Sequence, residues 1–135
     1  MTPRRQQRRQ AGQQAGQRAE RIAALWLRLK GYRIVARNFR HGSGEVDIFA
    51  RRGAILAAVE VKWRPSRAEA AEALQARQKH RIARAASVFW ARLPDHDQVA
   101  LRFDALLLAP WRWPHHIPNA WIPNTWIPGT GRPGN

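Results

Sequence analysis

Two apolar runs, Glu45 to Ala50 and Ile55 to Lys62, are separated by nothing more than Arg51-Arg52-Gly53-Ala54. So short a glycine-containing link between two extended apolar segments predicts an antiparallel β-hairpin. The rest of the chain has to pack around it. Ahead of the hairpin, Ala19, Ile22, Ala23, Trp26 and Leu29 recur at steps of three and four and stop at Gly31, the pattern of an amphipathic helix with a glycine at its C-terminal end. Tyr32 to Asn38 reads as a strand, and His41-Gly-Ser-Gly44 as the turn leading into the hairpin. Pro65 ends the second hairpin strand. Residues 67–93 are Ala-rich, with Leu74, Ile82, Ala85, Ala86, Phe89 and Leu93 in helical register. After a polar loop at 95–98, Val99 to Leu108 alternates, with Arg102 and Asp104 on one face and Leu101 and Phe103 on the other. The expected order is α-β-β-β-α-β, an α/β chain.

Residues 1–15, made of Gln, Arg, Ala and Gly, carry too little apolar surface to offset ordering entropy and read as a disordered basic arm. Residues 16–109 form the expected domain, and 110–135 a Pro- and Trp-rich extension in which Ile117-Pro-Asn-Ala-Trp121 is nearly repeated as Ile122-Pro-Asn-Thr-Trp126. Prolines at that density argue against a helix or a central strand, leaving an extended tail packed on the domain or a disordered one.

Charge narrows the partners. Lys and Arg total 24 against 9 Asp and Glu, a formal net charge of +15 on 135 residues. Such a field recruits polyanions, of which nucleic-acid phosphates are the commonest. A solvated basic surface, or a ribosome-associated protein without chemistry, is the plainer alternative. An anionic membrane is the weaker rival, since no long basic amphipathic segment is evident. The absence of cysteine excludes disulfides and thiolate zinc sites and fits a reducing compartment. No stretch approaches 18 consecutive apolar residues, and no apolar segment follows the basic start, so the cytoplasm is the expected location.

With nine acids in the chain, their placement is informative. Glu45 and Asp47 share one face of the first hairpin strand; Glu60 and Lys62 share one face of the second. A hairpin folded at Arg52-Gly53 would set Asp47 opposite Ala58 and diagonal to Glu60, roughly 7–8 Å away at Cα. Two carboxylates on adjacent apolar strands repel and lose hydration, and a hard divalent cation such as Mg²⁺ or Mn²⁺ is a natural compensation. Lys62 places an ammonium where it could orient water and offset charge developing on a phosphate. Of the 24 basic residues only Lys30, Lys62 and Lys79 are lysine, so a lysine just after Glu60-Val61 runs against the chain's preference for arginine. An ordinary cross-strand charge cluster is the alternative for the same residues.

Gly16-Gln-Arg-Ala-Glu20, Gly31-Tyr32, Arg37-Asn38, Gly44-Glu-Val-Asp47, Val59-Glu-Val-Lys62 followed by Arg64, Lys79 with Arg81, and Arg102-Phe-Asp104 occur in that order. The set, spanning Gly16 to Trp121, resembles the YraN family of bacterial proteins, which are similar to archaeal Holliday-junction resolvases. The resemblance implies a restriction-endonuclease-like core, a mixed sheet flanked by helices, with a PD-(D/E)xK site. Glu20, Asp47, Glu60 and Lys62 would be its catalytic residues, Asp47 and Glu60 holding the metal. Glu20 could instead be a helix N-terminal acid favouring the dipole. The chain departs from the family at Ala57-Ala58, where bulkier residues are usual, and at Trp63.

Arg77, Arg81 and Arg84 lie on one side of the long helix with Lys79 on a neighbouring face, and with Arg64 they are the candidate nucleic-acid contacts, against the alternative of a solvated helix face. Gln75 and Gln78 could reach the site if the helix start packs near the hairpin. Trp26 and Trp90 sit at core spacing; the later tryptophans suit either packing or base stacking. His115 and His116 lack partners at zinc-ligand spacing. The reading is a Mg²⁺- or Mn²⁺-dependent endonuclease acting on DNA, branched DNA included. The alternatives are a non-catalytic DNA- or RNA-binding module and a structural partner in an RNA–protein assembly. Resolvases often act as homodimers, but no residue pattern marks a dimer face.

Overall fold

The computed structural model describes residues 3–63, 76–110 and 112–123, with the backbone alone for 3–15, Ala76 and Arg77. Helix α1 (Pro3–Leu29) is followed by strands β1 (Arg33–His41), β2 (Gly44–Arg52) and β3 (Ile55–Trp63). Helix α2 (Ala76–Ala91), a single 3-10 turn (His96–Gln98) and strands β4 (Ala100–Leu108) and β5 (His115–Ile117) complete the order. The strands form one mixed sheet in sequence order, antiparallel except for the parallel pair β3–β4. A parallel pair needs a crossover, and α2 lies within the connection that makes it.

The sheet separates two cores. Leu56 and Ala58 of β3 and Leu101 and Phe103 of β4 pack with Ile82, Ala85, Ala86 and Trp90 of α2. The alternate residues Ala57, Val59, Leu106 and Leu108 pack with Ala19, Ala23, Ala24 and Leu27 of α1. Strand periodicity thus places Arg102 and Asp104 on the α1 side, as the alternation predicts. Gly44 sets how closely α2 lies on the sheet: a Cβ there would come within 2.1 Å of the Arg81 carbonyl oxygen.

Three expectations need correction. The helix begins at Pro3 rather than after a disordered arm. Gln, Arg and Ala are good helix formers, and extending a helix already nucleated by packing is cheap. The buried stripe of α1 is rotated by about a quarter turn from the one read in the sequence. Ala19, Ala23, Ala24 and Leu27 are buried, whereas Ile22 and Leu29 are 43% and 74% exposed. Three alanines let the helix axis approach the sheet, which the bulkier stripe could not do. The hairpin register also differs by two residues. Its turn is Gly53-Ala54, with Gly53 at φ +60 in the first central position. The paired ladder therefore ends at Ile48↔Val59, which brings Asp47 to the level of Glu60 rather than opposite Ala58. A shift of two keeps every side chain on its expected face. Of the two readings of the Pro-rich extension, the packed extended tail is the one found through residue 123: it supplies edge strand β5, and Trp121 packs on Phe103 with ring centroids 4.4 Å apart. An edge strand tolerates neighbouring prolines because one side of it needs no ladder donors. The part of the long helix expected before Ala76 and the C-terminal repeat beyond residue 123 lie outside the described residues, as do Arg64, Leu74 and Gln75.

Candidate functional site

Strand β2 breaks strict alternation at Asp47. Val46 joins the α2-side core while Ile48, two residues on, joins the α1-side core. Across the ladder, Arg37↔Ile48 and Phe39↔Val46 flank Asn38, which sits at φ 53. Irregularities of this kind re-aim side chains near functional sites.

Asp47 and Glu60 come from adjacent strands of the hairpin, and their side chains share a hydrogen bond. The Val61 N–H donates to Asp47 Oδ2 at 2.8 Å. Glu60 is 7% exposed. Lys62 Nζ lies 3.1 Å from Glu60 Oε1, and Gln78 Nε2 on α2 donates to the same oxygen at 3.2 Å. Burial, and then the negative charge of Glu60, push the Asp47 carboxyl up to about 8, against the Val61 N–H and Lys62, which favour its ionised form. Glu60 is also raised by burial, with Lys62 opposing. Of the two, Glu60 has the cationic partner and the amide donor, so the shared proton belongs mainly on Asp47. Ionising both carboxyls would leave one negative charge that Lys62 does not balance.

Glu20 approaches the pair from α1, where its charge contributes to the raised Asp47 carboxyl. Its Oε2 accepts from Asn38 Nδ2 at 3.1 Å. Among the described residues, no group of three or more His, Asp and Glu side chains gathers closely enough to hold a metal ion, so Asp47 and Glu60 stand as a two-carboxylate set with Glu20 outside it. Gln78 is the addition the sequence could offer only conditionally, since its place depends on how α2 docks. Arg81 and Arg84 are exposed on α2. Lys79 instead leans over the Trp121 ring, its Nζ 5.9 Å from the centroid. Arg64 and the Arg77 side chain lie outside the described residues.

A second polar cluster occupies the α1 side of the sheet. Asp104 is fully buried, accepts from Arg102 Nε and a terminal guanidinium nitrogen at 2.8 Å each, and from the Asn119 N–H at 2.9 Å. His116 Nε2 lies 2.8 Å from its Oδ2. Burial alone would raise this carboxyl; Arg102, His116 and the Asn119 amide outweigh it and hold Asp104 below the usual carboxylate range. The same Arg102 donates to the Tyr32 hydroxyl at 2.6 Å. His116 thus has a partner the sequence gave no means of identifying, because it arrives from a different strand through β5.

Among the described residues no helix is long and apolar enough to cross a membrane. A UPF0102 protein of Paramagnetospirillum magneticum is 52% identical over 107 residues, covering 76% of this chain and 83% of its own length. UPF0102 proteins of Parvibaculum lavamentivorans and Bartonella bacilliformis are 50% and 48% identical, covering 76% and 73% of this chain and 77% and 81% of their own lengths. Residues 19–108, which carry Glu20, Asp47, Glu60, Lys62, Gln78 and Asp104, match the uncharacterised protein family UPF0102, and with these relatives they show that the chain belongs to that YraN-like family.

Proposed function

We propose that this chain is a divalent-cation-dependent endonuclease of the PD-(D/E)xK type, on a restriction-endonuclease-like core, that hydrolyses DNA phosphodiester bonds. One observation carries the reading: two partly or wholly buried carboxylates, Asp47 and Glu60, come together from neighbouring strands, with the Lys62 ammonium 3.1 Å from Glu60. The residues fit a hard cation. The donor set is all oxygen, and burial beside Glu60, which raises the Asp47 carboxyl, is a setting that a cation would relieve. Asp47 and Glu60 would hold the ion, which supplies Lewis acidity to a phosphodiester when bound. The chain's own residues do the rest. Gln78 and Lys62 orient the Glu60 carboxylate, the Val61 N–H orients Asp47, and Lys62 offsets negative charge that grows on the phosphate. Exposed Arg81 and Arg84 on α2, within a chain of net charge +15, provide backbone attraction.

The test is nicking of supercoiled plasmid and of synthetic four-way junctions in Mg²⁺ or Mn²⁺, comparing wild type with Asp47→Ala, Glu60→Ala and Lys62→Ala. Cleavage by the wild type alone, with DNA binding retained in the variants, supports the reading. Salt-sensitive binding without cleavage in either metal refutes it and leaves a binding module. A preference for RNA over DNA in the same assay redirects the substrate.

A further inference from the structure

The cluster around Asp104 is not used by the proposed cleavage site and lies on the other side of the sheet. Its chemistry is specific. Asp104 is saturated by four donors, held ionised and fully buried, so it cannot act as a base itself. It can only fix its neighbour. An ionised carboxylate accepts, so the His116 nitrogen facing it, Nε2, carries the proton. Nδ1 then presents a lone pair, and that lone pair meets Lys30 Nζ. The His116 side chain is 1% exposed, whereas Lys30, just past the end of α1, is exposed. A buried, tautomer-locked imidazole is therefore aimed at a solvent-accessible amine. Arg52 and Arg102 add positive charge beside it, and Arg52 donates to the Lys30 carbonyl at 3.1 Å.

We propose that Lys30 is a reactive lysine, activated by the His116–Asp104 pair for acylation by acyl phosphates. The ammonium of Lys30 passes one proton to Nδ1 of His116, and the freed lone pair forms the C–N bond at the acyl carbon. The bond between the acyl carbon and the bridging phosphate oxygen then breaks, phosphate departs with the bonding electrons, and the second proton leaves the new amide nitrogen for phosphate or solvent. The cationic flank of Arg52 and Arg102 suits the anionic leaving group. Burial, followed by the charges of Arg52 and Arg102, lowers the Lys30 pKa, with Asp104 opposing, so amine is more available here than on an ordinary surface lysine. The product loses a positive charge and the Lys30–His116 bond, which ties the end of α1 to β5.

Because the chain has three lysines, the assay is clean. The purified protein is incubated with acetyl phosphate across pH 6.5–9, and the acetylation rates of Lys30, Lys62 and Lys79 are followed by peptide mass spectrometry. Lys30 is expected to react several-fold faster than Lys79, because its amine is more available and a base stands beside it. Its rate should reach half-maximum at a lower pH. His116→Gln, which retains a donor toward Asp104 and lacks the base, should remove the advantage and move the profile up in pH. The urea-unfolded wild type provides the second comparison if that variant does not fold, and there all three lysines should react alike. A Lys30 rate equal to that of Lys79 in the folded protein, or unchanged by both His116→Gln and unfolding, overturns the proposal.

Discussion

Asp47→Asn should make the metal-free protein more stable at alkaline pH, not less. In the folded chain the Asp47 carboxyl stands at about 8, against an ordinary value of 3.8. Between those two pH values the folded state keeps a proton that the unfolded chain has released, so stability falls as pH rises. At about 1.4 kcal/mol for each tenfold step in proton affinity, the upper limit is roughly 6 kcal/mol. The span from pH 5 to about 8 covers only part of that range, and Asp47 titrates together with Glu60, so a loss on the order of 2–4 kcal/mol between pH 5 and pH 9 is expected. Asparagine keeps the acceptor for Val61 and carries no charge at any of these pH values. Urea unfolding followed by tryptophan fluorescence, in EDTA, measures both proteins at each pH. The wild-type curve should fall while the Asp47→Asn curve stays nearly level, the two crossing so that the variant is the more stable at pH 9. Millimolar Mn²⁺ at pH 8 should restore the wild type and leave the variant unmoved. Parallel pH profiles for the two proteins would refute the argument that Asp47 is buried beside a like charge.

Leu27→Ala should cost about 2–5 kcal/mol by opening a cavity under α1, whereas Leu29→Ser should stay within roughly 0.5 kcal/mol; thermal melts of the two separate the observed helix face from the one read in the sequence. Gly44→Ala should destabilise by about 1–3 kcal/mol through overpacking against the Arg81 carbonyl, and the same melts show it. Asp104→Ala leaves Arg102 and His116 facing a buried void and should cost about 3–5 kcal/mol in urea unfolding. Since Asp104 is held below the ordinary carboxylate range, its stabilisation is complete above the unfolded value near 3.8 and is lost as pH falls through the lower folded one. The acid limb of the wild-type stability curve should therefore be shallower in that variant.

Much of the site was legible because β-structure carries its information in parity. Glu60 and Lys62 could be assigned to one side of the sheet from spacing alone, and the two-residue error in register did not disturb that side; Asp47 reaches Glu60 through the break in β2 that parity does not show. The helix was harder. Residues 19–29 contain two overlapping apolar stripes, and hydrophobicity favours the one with Ile22, Trp26 and Leu29. Close approach to a sheet rewards the small residues instead, a preference that arises only once the sheet is there. Gln78 was visible as a candidate and could not be ranked, because its reach to Glu60 depends on where Gly44 allows α2 to settle.

What the sequence determined by itself was local: the hairpin, the strand alternation, the excess of positive charge and the identity of the acids that could share an ion. What tertiary structure alone decided was which distant groups meet. Asp104 and His116 are joined because β5 folds back along β4, and Glu20 meets Asn38 because α1 lies across β1. Periodicity fixes the direction of a side chain within its own element; the partner it finds there depends on how separate elements pack, and that depends on volumes and close approaches summed over the whole core.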